Sequence, residues 1–466
     1  MLKILQKYTM QEVLLYTPHQ GSRIAYVARL IFSEILQCTC TLTSSSAVFA
    51  SATTAIRIQY GELPGGPPAW VIPASGFLEE RHIRPVKPQV FSHLDLPCFF
   101  GVAQTSADLP FDLFAMCFFL AVRYEEYLPF EPDHHGRFPA KASIAYQCGF
   151  LDIPLIDRWA YRLADLIRER FPGFVAPKRE YAFTPTIDID LAWAYLGKPL
   201  WKNLAGIAGD CLRQNWYRLG IRFRVWRGKQ PDSFDQFDFL DTLHREYQLQ
   251  SSYFFLFSDS TSRKDPNVRP QHPGFRQLIR KLAQQAHPGL HPSYHTPEKT
   301  HRITREKAAL EQVIGAELVR SRQHFIRFRL PETYRALQRA GIREDYSMGY
   351  PDASGYRASL ARPFPWFDLE NNAVGSLTLV PFQVMDVTLK QYLQLHPAQA
   401  IAHIAQLVQR TKEVNGHFVS IWHNSSFAPE WGWQDWEKVY RSLLQLASPP
   451  QQKKQQQEKL PSFPFL

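Results

Sequence analysis

From residue 180 onward the chain repeats one pattern, a short apolar run followed by a polar turn and a helical stretch. Strand-like runs at 183–189, 253–257, 289–291, 324–329, 343–347, 377–382 and 418–422 are separated by helical stretches such as 274–286, 305–318 and 397–415. This alternation favours parallel neighbours, because the chain crosses back through a helix before each new strand begins. The expected architecture is therefore α/β, with an incomplete (β/α)7-type barrel over residues 180–447. In parallel sheets of this kind, functional groups gather at the carboxyl ends of the strands.

At 466 residues the chain is long for a single core, so a second domain is expected ahead of the barrel. Residues 1–105 alternate strand-like pieces (12–16, 55–60, 69–73) with one helical stretch at 22–37, the pattern of a small α/β domain, and contain no Gly-rich phosphate loop. Residues 106–179 form a helical connecting region, with helices expected at 111–127 and 157–171. The polar loop between those helices carries His134 and His135, an adjacent pair expected to be solvated surface. The Gln-, Lys- and Pro-rich tail at 448–466 reads as disordered.

The chemistry-bearing residues fall at the expected strand ends. Thr186-Ile187-Asp188-Ile189-Asp190 closes the first strand, and its period of two places both carboxylates on one face. His291-Pro292-Ser293-Tyr294-His295 follows a later strand. One carboxylate and two imidazoles bind a divalent metal of the zinc, cobalt or nickel kind and leave a coordination position for water. A nearby second carboxylate can take a proton from that water. The alternating run Phe325-Ile326-Arg327-Phe328-Arg329 is expected to be a strand with Arg329 at its end, and His324 at its start competes as a ligand. A final apolar strand, 418–422, ends in His423 and Asn424, and Asp386 follows the strand before it.

In this order the segments resemble the polysaccharide deacetylase family, the NodB-homology carbohydrate esterases, over roughly residues 180–447. The phrases at 345–350, 364–372 and 422–426 are similar to those of a bacterial subgroup that carries an uncharacterised N-terminal domain. The resemblance implies a deacetylase-like barrel in which Asp188 is the catalytic base, and Asp190, His291 and His295 hold the metal. It further implies that Arg329 orients the base and that His423 is the general acid. The implied activity is metal-dependent removal of an acyl group, most often acetyl, from a sugar of a bacterial glycan or its precursor. The implied cofactor is zinc, with cobalt or nickel as alternatives. Pro292 stands where the family has Ser or Thr, and the segment between Asp190 and His291 is longer than in compact members. Phe364, Trp366 and Phe367 suit either sugar stacking or core packing. The alternative reading is a non-catalytic, deacetylase-like module that binds a glycan or an anion.

An aromatic content of 14% and a hydrophobic content of 45% indicate an ordered globular protein. The formal charge of +10 concentrates in Arg213, Arg218, Arg222, Arg224, Arg227 and Lys229, interleaved with Trp216, Tyr217, Phe223 and Trp226. Such interleaving suits phosphates, an anionic glycan or a membrane surface, or else forms a solvated helix face; a nucleic-acid partner is not expected. The expected partner at the site is a carbohydrate substrate, and the oligomeric state is left open. Six cysteines in apolar contexts, without CxxC pairing, suggest buried thiols in a reducing compartment. The opening residues Met1 to Lys7 do not read as a signal peptide, and no apolar run is long enough to span a bilayer, so a cytoplasmic location is expected.

Overall fold

The computed structural model describes residues 12–449 apart from 53–55, 64–65, 105, 178 and 260. The opening heptapeptide and most of the Gln-rich tail, both read from the sequence above, lie outside the described residues.

Near the amino end, strands β1 (Glu12–Tyr16), β2 (Thr39–Thr43), β3 (Ile56–Tyr60) and β4 (Trp70–Ile72) form a parallel sheet in the order β2-β1-β3-β4. The helical stretch after β1 is α-helical over Ser22–Ala28 and π-helical over Arg29–Ile35. A two-stranded hairpin follows, β5 (Phe91–His93) with β6 (Leu96–Cys98). The helix Leu113–Ala121 is apolar all round, and all nine of its side chains are buried, as expected for a helix packed on every side.

The remaining strands build one large sheet. They are β7 (Ala182–Ile189), β8 (Ser252–Leu256), β9 (His287–His291), β10 (Arg320–Ser321), β11 (Glu344–Asp345), β12 (Phe364–Asp368), β13 (Ala373–Leu379), β14 (Val384–Met385) and β15 (His417–His423). Their order is β12-β13-β11-β10-β9-β8-β7-β15-β14, and every pairing is parallel except β12 with β13. Setting β12 aside, this is chain order rotated so that the last two strands come first. That is the hydrogen-bonding order of a barrel opened at one seam, here between β13 and β14. The α/β architecture expected from the sequence is present.

Central strands are buried on both faces, so they read as continuous apolar runs; all five residues of β8 are buried. Opposite Phe254 in β8, β9 carries Gly289, where an added Cβ would lie 2.5 Å from the phenyl ring. Only glycine leaves room for that ring.

One sequence expectation is corrected here, and one choice between two readings is decided. The run 324–329 is not a strand: Phe325 and Ile326 adopt left-handed φ values of 60° and 53° inside a 3-10 turn, and pairing ends at Ser321. Phe364, Trp366 and Phe367 are at most 2% exposed and belong to the core, so they offer no stacking face. The six cysteines are free thiols as expected, but Cys148 is exposed.

The two halves share one continuous core, running from Val13 and Leu15 through the 113–121 helix to the barrel strands. Buried ion pairs cross between them. Arg357 donates to both oxygens of Glu126 at 2.9 and 2.6 Å, and Arg362 pairs with Asp157; within the N-terminal half, Arg123 also donates to Glu126 at 2.7 Å.

Candidate metal centre

The carboxyl ends of β7, β9, β10, β14 and β15 converge on one cleft of about 400 Å³. Strand β7 contributes Thr186 and Asp188 on one face, with Asp190 one residue beyond its end. His291 is the last residue of β9, and His423 is the last of β15. Arg322 and His324 follow β10, and Asp386 follows β14.

At the centre, the Nε2 atoms of His291 and His324 lie 3.2 and 3.5 Å from the same oxygen, Oδ1 of Asp190. The three donor atoms lie within 4.8 Å of one another. Both rings are fixed from behind: Nδ1 of His291 donates to the backbone carbonyl of Arg322, and Nδ1 of His324 bonds Asp265 at 3.1 Å. Each ring therefore presents Nε2 inward, the arrangement that partners behind metal-bound histidines enforce.

The residues fit a divalent cation. Asp190 Oδ1 is buried and has no hydrogen-bond partner. Without a cation, a proton on a facing Nε2 would have to satisfy that oxygen. For His324, burial opposes the charge, but the Asp190 and Asp265 carboxylates raise its pKa to about 9. Asp190 shows the reciprocal effect: burial works against ionisation, yet the surrounding His324, His291 and His423 hold its carboxyl well below the usual range. A divalent ion supplies the same positive charge to one carboxylate and two imidazoles.

Two further pairs flank this cluster. Asp188, 2% exposed, accepts a hydrogen bond at 2.7 Å from Nη1 of Arg322. Arg322 is itself fully buried; it also donates to Thr186 at 2.7 Å and to the Tyr346 carbonyl at 3.0 Å, and stacks 4.4 Å over Phe254. On the other side His423 bonds Asp386 through Nδ1 at 2.8 Å and holds Nε2 3.6 Å from Asp190 Oδ2. Burial lowers the basicity of His423, but the carboxylates of Asp386, Asp190 and Asp188 outweigh it and push the pKa up to about 10.

Of the residues singled out in the sequence, Asp188, Asp190, His291 and His423 are brought together, and so is His324, the competing ligand. His295 and Arg329 are not. His295 is exposed, with Glu298 4.0 Å away, and Arg329 is exposed beside the same glutamate at 3.4 Å. β10 ends early, at Ser321, so Arg329 falls beyond the turn that follows it while Arg322 and His324 stand at the sheet end; His295 lies in the segment after β9. The short segment Arg322-Gln323-His324 carried the signal, two functional side chains two residues apart, as in Asp188 and Asp190.

The N-terminal half completes the cleft wall with His134, His135 and Arg137. Arg137 donates to the Phe325 carbonyl at 2.7 Å and to the Tyr392 hydroxyl at 3.1 Å. His135 bonds the Tyr294 hydroxyl at 2.8 Å, and its carbonyl accepts from Arg327 at 2.6 Å. His135 is thus buried, contrary to the solvated surface expected for this pair, while His134 is exposed.

Residues 13–172 match the model of a family of unknown function, DUF7033. No match to a curated protein was found. Among solved structures, the chain is similar to a putative polysaccharide deacetylase from Mycobacterium smegmatis at 17% identity and a TM-score of 0.35, covering 58% of this chain and 85% of that one. It is similar to a 4-alpha-glucanotransferase from Thermococcus litoralis at 16% identity and a TM-score of 0.34, over 58% of this chain and 37% of that one. It is also similar to the polysaccharide deacetylase Bc1974 from Bacillus cereus, at 9% identity and a TM-score of 0.27, over 57% and 86%. Similarities this weak do not assign an activity.

Proposed function

We propose that the protein is a metal-dependent hydrolase that removes an acyl group, acetyl above all, from an amino sugar of a glycan or glycan precursor. The observation that carries this reading is the shared Asp190 oxygen between two inward Nε2 atoms, flanked by one carboxylate–arginine pair and one histidine–carboxylate pair. Asp190, His291 and His324 would hold the ion, with zinc the first candidate and cobalt or nickel the alternatives. When bound, such an ion supplies Lewis-acid polarisation of an acyl carbonyl and of water.

The chain's own groups divide the proton work. Asp188, held by Arg322, is the base that accepts a proton from the attacking water. His423, oriented by Asp386 and kept protonated by it, gives a proton to the departing amine. The order of these groups along the chain, and the resemblance of the motifs at 186–190 and 418–423 to polysaccharide deacetylases, support a carbohydrate amide as substrate.

The test is acetate release from a panel of N-acetylated sugars by zinc-loaded protein and its His423→Gln variant. Release by the wild type, reduced roughly 10²–10⁴-fold in the variant with metal content unchanged, is the expected result. Equal release by both proteins would remove His423 from the reaction. A wild type that binds sugar but releases no acetate would favour the non-catalytic glycan-binding alternative.

A further inference from the structure

The connection between β7 and β8 carries a helical hairpin, Leu200–Leu212 and Trp216–Trp226, whose first helix is inverted in polarity. The only buried side chain of its first helix is Asp210, and the second buries Arg222 between Ile221 and Val225. These charges neutralise each other inside the hairpin: Arg222 donates to Asp210 Oδ2 at 2.7 Å, and Arg218 pairs with the other oxygen. Gly206 makes the approach feasible, because an added Cβ there would lie 2.7 Å from the Arg222 guanidinium. The outward face is apolar and aromatic. Leu212 is 86% exposed, Leu200 75%, Tyr217 67%, Trp201 66%, Trp216 64% and Leu204 56%.

A soluble helix pair does the reverse, burying its leucines and exposing its charges. Exposed apolar patches of this kind mark docking surfaces. Residues 198–229 also carry eight Lys or Arg against the single acid Asp210, most of the excess behind the formal +10 of the whole chain. We propose that this hairpin docks on the surface of an anionic lipid bilayer, with the leucine and tryptophan side chains entering the headgroup boundary and the basic residues meeting anionic headgroups.

Two observations favour a bilayer over a second copy of the chain. Leucine, tryptophan and tyrosine combined with Lys and Arg are the composition of interfacial helices, whose amphipathic rings sit at headgroup level. Two copies meeting through this face would bring like charges together, whereas anionic lipid complements them. No helix among the described residues is long and apolar enough to cross a membrane, so the contact is one of surface docking.

The hairpin is anchored to the catalytic end of the barrel. Arg218 lies 4.6 Å over the Trp431 ring, and Asn424, next to His423, donates to the carbonyls of Leu191 and Phe234 at 2.9 and 2.8 Å. Asp232 accepts from the backbone of Ala194 and Tyr195 at 2.6 and 2.8 Å and fixes the hairpin's base. The docking surface and the cleft are therefore carried on one rim of the barrel.

The experiment is co-sedimentation of the full chain with vesicles of phosphatidylcholine alone and of phosphatidylcholine mixed with phosphatidylglycerol, for the wild type and the double variant Trp201→Ser, Trp216→Ser. Both side chains point outward, so the melting temperature and metal content serve as controls and are expected to stay unchanged. The wild type is expected to bind the phosphatidylglycerol vesicles, less so at high salt, with affinity falling about tenfold or more in the double variant. Arg224→Gln with Arg227→Gln is expected to weaken the salt dependence. Wild type remaining in the supernatant with both vesicle types would overturn the proposal. So would a concentration-dependent dimer of the wild type that the double variant abolishes. Vesicle binding is read without turnover, so either result stands apart from the outcome of the acetate assay.

Discussion

Arg322 joins the chemistry of the site to its stability. Its guanidinium is fully buried, spans Thr186, Asp188 and the Tyr346 carbonyl, and stacks on Phe254. A lysine there keeps the charge but loses the planar fork, so Arg322→Lys is expected to lower the turnover number roughly a hundredfold, with metal retained. Arg329→Ala, on the surface, is expected to leave acetate release unchanged, and the two variants assayed together decide which arginine orients the base. A second residue-scale prediction concerns His244, which is buried against the Tyr440 hydroxyl at 2.6 Å and whose pKa burial lowers from 6.5 to about 4. The unfolded chain takes up its proton first as pH falls, so stability is complete above pH 6.5 and is lost as pH drops toward 4. At roughly 1.4 kcal/mol per unit, this amounts to about 3 kcal/mol. Chemical denaturation of His244→Gln across that window is expected to show a shallower acid limb than the wild type; an identical limb would locate the acid sensitivity elsewhere.

At the scale of elements, what could be read from the sequence followed the length and regularity of each run. β7, β8 and β15 span five to eight residues and are nearly all buried, so their apolar runs stood out, and Asp188, Asp190 and His423 with them. β10, β11 and β14 are two residues each, too short for any period to show. The alternation after β10 belonged instead to a turn with two left-handed residues, and this carried Arg329 past the sheet end; His295 lies in the segment after β9. Only the later part of the hairpin, from Arg213, stood out in the sequence as charge interleaved with aromatics, and which side faced inward depended on the Asp210 pairs, which no periodicity reveals. Asp210→Asn removes the charge that compensates buried Arg222. The expected cost is about 3–5 kcal/mol of local stability. Faster amide hydrogen exchange confined to residues 200–226 would report it, and unchanged exchange there would count against the buried pairing.

For the molecule as a whole, the expected division into an α/β unit and a barrel meets a core that runs through both. The N-terminal half supplies the 113–121 helix to that core, Glu126 to a buried arginine pair, and the His134–Arg137 turn to the cleft wall. Glu126→Gln leaves Arg357 and Arg123 short of a buried counter-charge. It is expected to cost about 3–5 kcal/mol in a single cooperative unfolding transition. Two separate transitions would instead show that the halves fold independently. The proposed cation site at Asp190, His291 and His324 underlies the whole mechanism. It is tested most directly by elemental analysis of zinc-loaded wild type and of Asp190→Ala, His324→Ala and His295→Ala. About one divalent ion per chain in the wild type and in His295→Ala, lost in the other two, is the predicted result. No ion in the wild type, or an ion kept by His324→Ala and lost from His295→Ala, would contradict it.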